Sequence, residues 1–226
     1  MIKWQSLPCE LQVDAVLPYY EILRKKKGSL LAKRAFDIFF SLILILLLSP
    51  VMIFLSVWIK ADSKGPVFFK SRRITKYGKS FMILKFRTMV SGADKIGAAV
   101  TVANDQRITK VGAKIRHSRL DDIPQLFNVL KGDMSFVGTR PEAPKYVEQY
   151  TDEMKATLLM PAGITSPASI TYKDEDKIME TFVDKGLSVD EAYLNHVLPD
   201  KMKYNLDYIK DFSFLRDIKI CYKTIF

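Results

Sequence analysis

The sequence predicts a mostly helical α+β protein that is anchored to a membrane by one long apolar helix. Three observations support this prediction: an uncharged stretch of 22 residues from Ile38 to Ile59, two β-rich runs around a glycine turn behind it, and helical patterning over most of the remaining chain. We therefore divide the chain into an N-terminal extension (1–32), a membrane helix (33–60) and a cytosolic, largely helical domain (61–226).

The amino-acid composition limits the kinds of molecule that this protein is expected to bind. Of the 226 residues, 48% are hydrophobic and 27% are charged, and the net charge is +10. This composition excludes a disordered chain and favours polyanionic partners, namely nucleic acid, anionic lipid or phosphorylated small molecules. Cys9 and Cys221 lie near opposite ends without metal-ligand spacing, which favours a reducing, cytosol-facing location. The histidines are His117 and His196, so a histidine-rich metal site is not expected, although His117 could act as a lone base.

The apolar stretch is long enough to cross a membrane, but two features predict that it re-enters instead. Ser49-Pro50 lies at its middle, where proline should break the helix into halves of about 16 Å, roughly half of a hydrocarbon core. Basic residues flank both ends, which places both ends in the cytoplasm. Ser49 is the local donor for backbone groups freed at the break. A spanning helix with a proline kink is the alternative.

Residues 65–73 and 80–89 are β-rich runs around a glycine turn and predict a β-hairpin. Lys85 and Arg87 alternate with apolar residues, so both should point to one face, where they could bind a diphosphate. Alternatively, the two cations form a solvent-exposed basic edge of the hairpin that binds no ligand. Residues 91–106 are predicted to be a mobile connection.

The second half is predicted to contain helices over 106–117, 143–160, 172–185 and 188–210, the last with a capping sequence that begins at Ser188. Residues 161–167 are predicted to form a loop. The final segment, 212–226, mixes apolar residues and cations as a helix lying at a membrane surface does.

Asp121 and Asp122 are the candidate catalytic residues. They stand between basic residues upstream and an apolar helical run downstream, and the cations should lower the pKa of the pair while they attract phosphates. Arg116 lies five residues before Asp121, and Arg140 follows a glycine turn, so both could contact phosphate. Alternatively, Ser118 and Asp121 form a capping box that starts a helix.

Several ordered motifs together resemble the bacterial sugar transferase family, the small monotopic polyprenol-phosphate phosphoglycosyl transferases. The resemblance covers about residues 33–226. The motifs are Lys33-Arg34-x-x-Asp37, Ser49-Pro50, Gly65-Pro66-Val67-Phe68-Phe69, Lys85-Phe86-Arg87-Thr88-Met89, Arg116-x4-Asp121, Asp122-x-Pro124-Gln125-x2-Asn128-x2-Lys131-Gly132-Asp133-Met134-Ser135, Gly138-x-Arg140-Pro141 and Gly163-Ile164-Thr165.

The resemblance implies transfer of a phospho-sugar from a UDP-sugar to undecaprenyl phosphate, with release of UMP, at the cytoplasmic face of the bacterial inner membrane. It implies a re-entrant membrane helix in contact with an anionic lipid bilayer, a Mg²⁺ ion bound by Asp121, and Asp121 as the nucleophile that becomes an aspartyl phosphosugar. Lys85, Arg87, Arg116 and Arg140 would hold substrate phosphates. Nucleic acid is not an expected partner, and a homodimer is compatible with the sequence, which does not decide it.

The chain departs from the family pattern at three places. Asp122 stands where the family usually has Glu, Thr139 replaces the usual proline before Arg140, and the usual Gly-x-x-Gln-Val-x-Gly-Arg is absent after Thr165. The role of Asp122 and the identity of the donor sugar are therefore left open. Two other functions remain: a membrane-anchored basic scaffold or nucleic-acid-binding module, and a related enzyme with another lipid phosphate or nucleotide.

Overall fold

In the computed structural model, residues 1–93, 105–172 and 175–225 are described, and the elements below refer to these ranges. The α-helices are α1 Leu17–Lys25, α2 Lys27–Asp62, α3 Lys110–His117, α4 Gln125–Lys131, α5 Pro144–Val147, α6 Pro167–Thr171, α7 Glu175–Val183, α8 Val189–Ala192, α9 Leu198–Lys210 and α10 Phe214–Ile225. The strands are β1 Phe68–Ile74, β2 Ser80–Phe86, β3 Met134–Val137 and β4 Ala162–Thr165. The predicted α+β class, mostly helical, is confirmed for this part of the chain.

The predicted membrane helix is α2, and it is longer than expected, with 36 residues. Within the described residues it is the one helix long and apolar enough to cross a membrane by length and composition. Its central side chains are exposed, with Leu46 at 68% and Leu47 at 69%, as expected for a surface that lipid rather than protein covers.

The helix continues through Pro50 without the predicted interruption. Proline lacks the amide that would bind the carbonyl of Leu46, four residues earlier. Ser49 Oγ donates to that carbonyl over 2.8 Å. The predicted role of Ser49 as the local donor is thus confirmed, and it explains how the helix tolerates the proline.

Both ends of α2 pack against the same folded body. Near its start, Arg34 donates to the carbonyls of Val129 and Leu130 at the end of α4. Near its end, Leu55 and Ile59 are buried in a cluster with residues of β2 and α3. The apolar middle of the helix therefore lies between two attachment points on one body.

The predicted β-hairpin is confirmed. Strands β1 and β2 pair antiparallel, with Phe68 opposite Phe86 and Ile74 opposite Ser80. A second, parallel pair joins β3 to β4 and was not predicted, because 161–167 was expected to be a loop. Gly138 and Gly163 make this pair possible, since a Cβ on Gly163 would come within 2.2 Å of the Gly138 amide nitrogen.

The predicted helix over 143–160 is wrong. Only α5 and a 3-10 helix, Met154–Leu159, form within this range. Residues 156–160 are buried consecutively, whereas one face of an α-helix can bury only every third or fourth residue. The apolar spacing was therefore a poor guide to this segment.

The remaining predictions have mixed outcomes. Ser188 forms a capping box with Glu191, as predicted, and begins a helical segment that runs through a π-helix, Tyr193–Val197, into α9. The helices expected over 106–117 and 172–185 are shorter, as α3 and α7. Most of the predicted connection 91–106 lies outside the described residues.

The residues predicted as an N-terminal extension contribute to the largest hydrophobic cluster. Leu11, Val16, Tyr20 and Leu23 are buried there with residues of α9. The C-terminal helix α10 leaves Leu215 and other apolar side chains exposed, which fits the expectation of a helix at a membrane surface.

Candidate active site

Asp121 and Asp122 lie in a single 3-10 turn, Leu120–Asp122, between α3 and α4. Arg119 enters this turn with φ 56°, a left-handed conformation that ordinary side chains adopt rarely. Holding such a residue costs about 1–3 kcal/mol, and this conformation persists only where the surrounding structure requires it. The carboxylate pair therefore lies on a tight turn between two helices.

The capping-box interpretation of Ser118 is wrong. Ser118 Oγ donates to the carbonyl of Lys114 over 2.8 Å, at the C-terminal end of α3. The residue before α4 is Pro124, which provides no side-chain cap. Because α3 ends directly before Ser118, its hydroxyl meets the free carbonyls of a helix end rather than the free amides of a helix start.

Close contacts fix the carboxylate turn against strand β2. On α4, Asn128 donates to the Met82 carbonyl over 2.9 Å and accepts from the Leu84 amide over 3.0 Å. On α3, Gly112 lies so near Thr88 that a Cβ would come within 2.0 Å of the Thr88 carbonyl oxygen. Both helices that flank the turn are thus held beside the strand that carries Lys85.

Lys85 faces both carboxylates. Its Nζ lies 2.7 Å from Asp122 Oδ1 and 4.0 Å from Asp121 Oδ2. Gln125 Nε2 donates a very short hydrogen bond to the same Asp122 oxygen. Asp122 is therefore held by two partners. The side chain of Asp121 is 14% exposed, and its distance to Lys85 is at the upper limit for an ion pair. The two carboxylates are not equivalent.

The expectation of a lowered pKa for the pair is wrong for Asp121. Burial, followed by the negative charge of Asp122, raises the pKa of Asp121 to about 6. Lys85 and Arg116 act in the opposite direction but do not outweigh these two effects. The sequence reveals the surrounding cations but not the loss of water around the carboxylate, and this loss dominates.

Arg116 and Arg140 lie within electrostatic reach of the carboxylates. The charge of Arg116 acts on Asp121, and the charge of Asp122 acts on Arg140. Among the described residues Arg140 makes loose ion pairs, 3.7 Å to Glu142 and 3.6 Å to Glu175. Two of the predicted phosphate-binding cations, Arg116 and Arg140, thus join Lys85 around the turn.

Arg87 is not brought to this site. Strand β2 ends at Phe86, so the alternation that would place Arg87 beside Lys85 does not continue to it. Its side chain is buried and donates to the carbonyls of Ser63 and Lys64, over 2.7 and 2.8 Å, just beyond the end of α2. The structure therefore corrects the prediction of a direct phosphate contact: Arg87 connects the end of the long apolar helix α2 to the hairpin.

Sequence reasoning missed a charged group beside Arg140, formed by Glu142, Glu175, Tyr193 and Lys201. The Lys201 ammonium lies 2.5 Å from Glu175, and the Tyr193 hydroxyl donates to Glu142 over 2.7 Å. The spacing of residues in the sequence could have identified Lys201 as a buried lysine. It shares a helical face with Leu198, Met202, Asn205 and Ile209, where a lysine stands among core positions.

The donor set around the turn suits Mg²⁺. This ion takes one or two carboxylates and completes its octahedral shell with water and substrate phosphates, so it does not need a cage of protein ligands. Among the described residues no group of three or more His, Cys, Asp or Glu is placed to hold a metal. The adjacent carboxylates of Asp121 and Asp122 match the smaller requirement, and their mutual repulsion favours a cation between them.

These features together suit attack on a phosphoryl group. A carboxylate with a pKa near 6 is mainly ionised at neutral pH, and cations nearby can hold the oxygens of an anionic phosphate substrate. A binding surface for single-stranded DNA would need a basic stripe and stacking aromatics rather than a largely buried carboxylate pair. The geometry thus favours chemistry over passive binding.

Comparison with known proteins agrees with this chemistry. The model of the family described as bacterial sugar transferase matches residues 28–226. The chain is 36% identical over 196 residues to UDP-N-acetylgalactosamine-undecaprenyl-phosphate N-acetylgalactosaminephosphotransferase of Aeromonas hydrophila. It is 35% identical over 222 residues to UDP-glucose:undecaprenyl-phosphate glucose-1-phosphate transferase of Escherichia coli, and 34% identical over 214 residues to undecaprenyl-phosphate galactose phosphotransferase of Salmonella typhimurium.

These matches cover 85%, 96% and 88% of this chain but only 42%, 44% and 40% of the respective relatives. The chain thus spans less than half the length of these curated relatives. The family model, in contrast, matches residues 28–226, a range that contains all of α2 except its first residue and the whole candidate site. The chain belongs to the bacterial sugar transferase family.

Proposed function

We propose that this protein is a phosphoglycosyl transferase that moves a phospho-sugar from a UDP-sugar to undecaprenyl phosphate and releases UMP. The observation that carries the proposal is the carboxylate pair: the largely buried Asp121 lies within reach of Lys85 and Arg116, and the charge of the adjacent Asp122 acts on Arg140. The names of the relatives include N-acetylgalactosamine, glucose and galactose transfer, so the donor sugar is left open. The reaction would begin assembly of a bacterial surface glycan.

In the first step, an oxygen of Asp121 attacks the β-phosphorus of the donor. The bond from that phosphorus to the bridging oxygen breaks, and UMP leaves with the oxygen and its electron pair. The product on the enzyme is an aspartyl phosphosugar. Lys85 and Arg140 would hold the diphosphate oxygens while charge shifts towards UMP; their positions near the carboxylate pair support this role.

In the second step, an oxygen of undecaprenyl phosphate attacks the same phosphorus, and the carboxylate of Asp121 leaves unchanged. Asp122 has a positioning role in this scheme, because it holds Lys85 through a 2.7 Å contact beside the nucleophile. Asp121 and Asp122 would hold Mg²⁺, which would offset the negative charge of the diphosphate.

We further propose that α2 re-enters the membrane and leaves it on the cytoplasmic side. A helix of 36 residues is about 54 Å long, and a helix that crosses separates its two ends by about 30 Å of hydrocarbon. Contacts of Arg34 near the start and Ile59 near the end with one folded body are difficult to reconcile with such a separation. Basic residues flank both ends and favour anionic lipid headgroups on the same side.

Cysteine labelling separates the two topologies. Cys9 and Cys221 are first replaced by serine, and single cysteines are then introduced by Lys27→Cys and Lys64→Cys, one at each end of α2. We expect an impermeant thiol reagent to label both positions only from the cytoplasmic side. Labelling of the two positions from opposite sides would establish a spanning helix.

The pH dependence of the first half-reaction reports on Asp121. Before Mg²⁺ binds, the raised pKa of Asp121, about 6, means that this carboxyl is protonated and neutral below that pH, so protons compete with Mg²⁺ for it. At subsaturating Mg²⁺ and donor, we therefore expect the rate of the first UMP release without acceptor to fall as the pH drops below about 6 and to be level from 7 to 8. A rate that stays level down to pH 5 would mean that Asp121 has an ordinary carboxyl pKa or is not the nucleophile.

The reaction itself is tested by a screen of UDP-sugars with purified protein, Mg²⁺ and undecaprenyl phosphate. We expect UMP release with at least one donor. The alternative of a basic scaffold or nucleic-acid-binding module predicts salt-sensitive DNA binding and no UMP from any donor. Replacement of UDP-sugars by other nucleotide sugars, and of the acceptor by other lipid phosphates, tests the related-enzyme alternative.

A further inference from the structure

A buried ion pair lies directly behind Arg140. Lys201 is 1% exposed, and its ammonium lies 2.5 Å from Glu175 Oε2. The same Glu175 oxygen lies 3.6 Å from the guanidinium of Arg140. Glu175 thus contacts two cations: Lys201, which is buried and closely paired, and Arg140, which is loosely paired and within electrostatic reach of Asp122.

Arg140 is held by charge rather than by hydrogen bonds. Its side chain is 43% exposed, and among the described residues it makes ion pairs of 3.6 and 3.7 Å but no hydrogen bond. Burial lowers the pKa of Arg140, but the negative charges of Glu175, Glu142 and Asp122 oppose this effect, and the pKa is raised overall. Its donors are therefore available for a bidentate contact with an incoming phosphate, which is the geometry that guanidinium groups favour.

The availability of Arg140 depends on the other partner of Glu175. Glu175 Oε1 is buried and has no hydrogen-bond partner among the residues that the structure describes, so this carboxylate is poorly solvated and needs a counter-ion. Lys201 supplies that charge at the shorter distance. Without Lys201, Glu175 would attract Arg140 into a close pair and withdraw it from the diphosphate.

We propose that Lys201 is a positioning residue: as the buried counter-ion of Glu175, it leaves Arg140 free to bind the diphosphate of the nucleotide-sugar donor. The inference rests on the proposed function and extends the site to α9, which carries no residue of the carboxylate turn. Lys201 acts through Arg140 and does not itself touch the donor.

The proposal has a pH signature. Burial, followed by the positive charge of Arg140, lowers the pKa of Lys201 to about 8, against the opposing charges of Glu175 and Glu142. The rings of Tyr193 and Tyr172 also face the ammonium, at 5.2 and 5.9 Å. As the pH rises through about 8, Lys201 loses its charge, Glu175 turns to Arg140, and donor binding weakens.

The test measures UDP binding by calorimetry and, separately, donor KM and kcat for UMP release, with the full chain in lipid nanodiscs. We expect Lys201→Met to weaken UDP binding about tenfold and to raise the donor KM more than it lowers kcat. Adding Glu175→Gln to Lys201→Met should restore binding to within about threefold of wild type, because nothing then withdraws Arg140. The matched control is Lys203→Met, an exposed lysine on the same helix that pairs with Asp200.

Lys201→Arg keeps the charge and titrates far above pH 8, so it tests the proposal even if Lys201→Met does not fold. We expect wild-type UDP binding to weaken between pH 7.5 and about 9, and binding to Lys201→Arg to stay level. Identical pH profiles, or unchanged binding to Lys201→Met, would overturn the proposal, as would a wild-type protein that does not bind UDP. Normal UDP results without UMP release would refute the proposed function and leave the role of Lys201 standing.

Discussion

Replacing Asp121 by asparagine is expected to lower the rate of UMP release by a factor on the order of 10³ or more. The substitution preserves size and hydrogen bonding but removes the negative oxygen that would attack the β-phosphorus. Loss of a nucleophile typically removes most of an enzyme's rate enhancement, whereas loss of a binding contact has a smaller effect. The measurement is UMP release under saturating donor and acceptor, with the amount of folded protein checked by size-exclusion chromatography.

Asp152→Asn is the matched control, since Asp152 is exposed and pairs with Lys155 three residues later. Its rate should equal that of wild type. UDP binding should also survive in Asp121→Asn, because Lys85 and Arg140 remain, and removing one of two adjacent negative charges should favour an anionic ligand. If Asp121→Asn released UMP at the wild-type rate, the assignment of the nucleophile would be wrong.

Replacing Lys33 by methionine is expected to lower the free energy of unfolding by about 3–5 kcal/mol. Lys33 and Asp217 form an ion pair of 2.7 Å with both side chains about 5% exposed, and Lys33 also donates to the Val137 carbonyl. Removing the lysine leaves Asp217 buried, with the Tyr208 hydroxyl as the remaining hydrogen-bond donor to its carboxylate within the described part of the chain. The pair joins the start of α2 to α10, so thermal unfolding in detergent should begin at a lower temperature.

A double variant and a surface control give this prediction its specificity. Lys33→Met combined with Asp217→Asn removes both charges and should recover part of the lost stability. Lys131→Met removes a lysine that is largely exposed in its pair with Asp133, and it should change stability by less than about 1 kcal/mol. Equal stability of Lys33→Met and wild type would mean that this buried pair does not fasten α2 to the folded body.

The parts of the fold that local sequence patterns determine could be predicted. The uncharged stretch from Ile38 to Ile59 predicts a long apolar helix, which the structure contains, although the predicted break at Pro50 is absent. The hairpin followed from two β-rich runs around Gly78, and the cap at Ser188 from its spacing to Glu191. Each of these signals lies within a few residues of the structure it predicts.

Features that depend on contacts distant in the sequence could not be predicted. Strands β3 and β4 pair across about 30 residues, and nothing local to Ala162–Thr165 distinguishes a strand from a loop. Ser118 has the sequence of a capping residue, but its neighbours in space are the last carbonyls of α3. The sequence predicts a phosphate contact for Arg87 because nothing local to it shows that this side chain binds the carbonyl of Ser63, 24 residues earlier and just beyond α2.

The candidate site likewise contains features that the sequence predicts and features that depend on distant contacts. Asp121, Asp122 and Lys85 were identified from motifs, and the structure brings the three together. The raised pKa of Asp121 depends on burial, which the sequence does not express, and its sign was therefore predicted wrongly. Glu175 and Lys201 meet only when α7 and α9 pack behind Arg140.

The most direct test of Asp121 as the nucleophile is UMP release from a UDP-sugar, with Mg²⁺ and without any polyprenyl phosphate. A two-step reaction through an aspartyl phosphosugar predicts a rapid burst of about one UMP per protein molecule, followed by a slow steady rate. The burst should be absent from Asp121→Asn, and a peptide containing Asp121 should gain the mass of the phospho-sugar in wild type. UMP release that requires the acceptor from the first turnover, with no mass change on that peptide, would contradict the account.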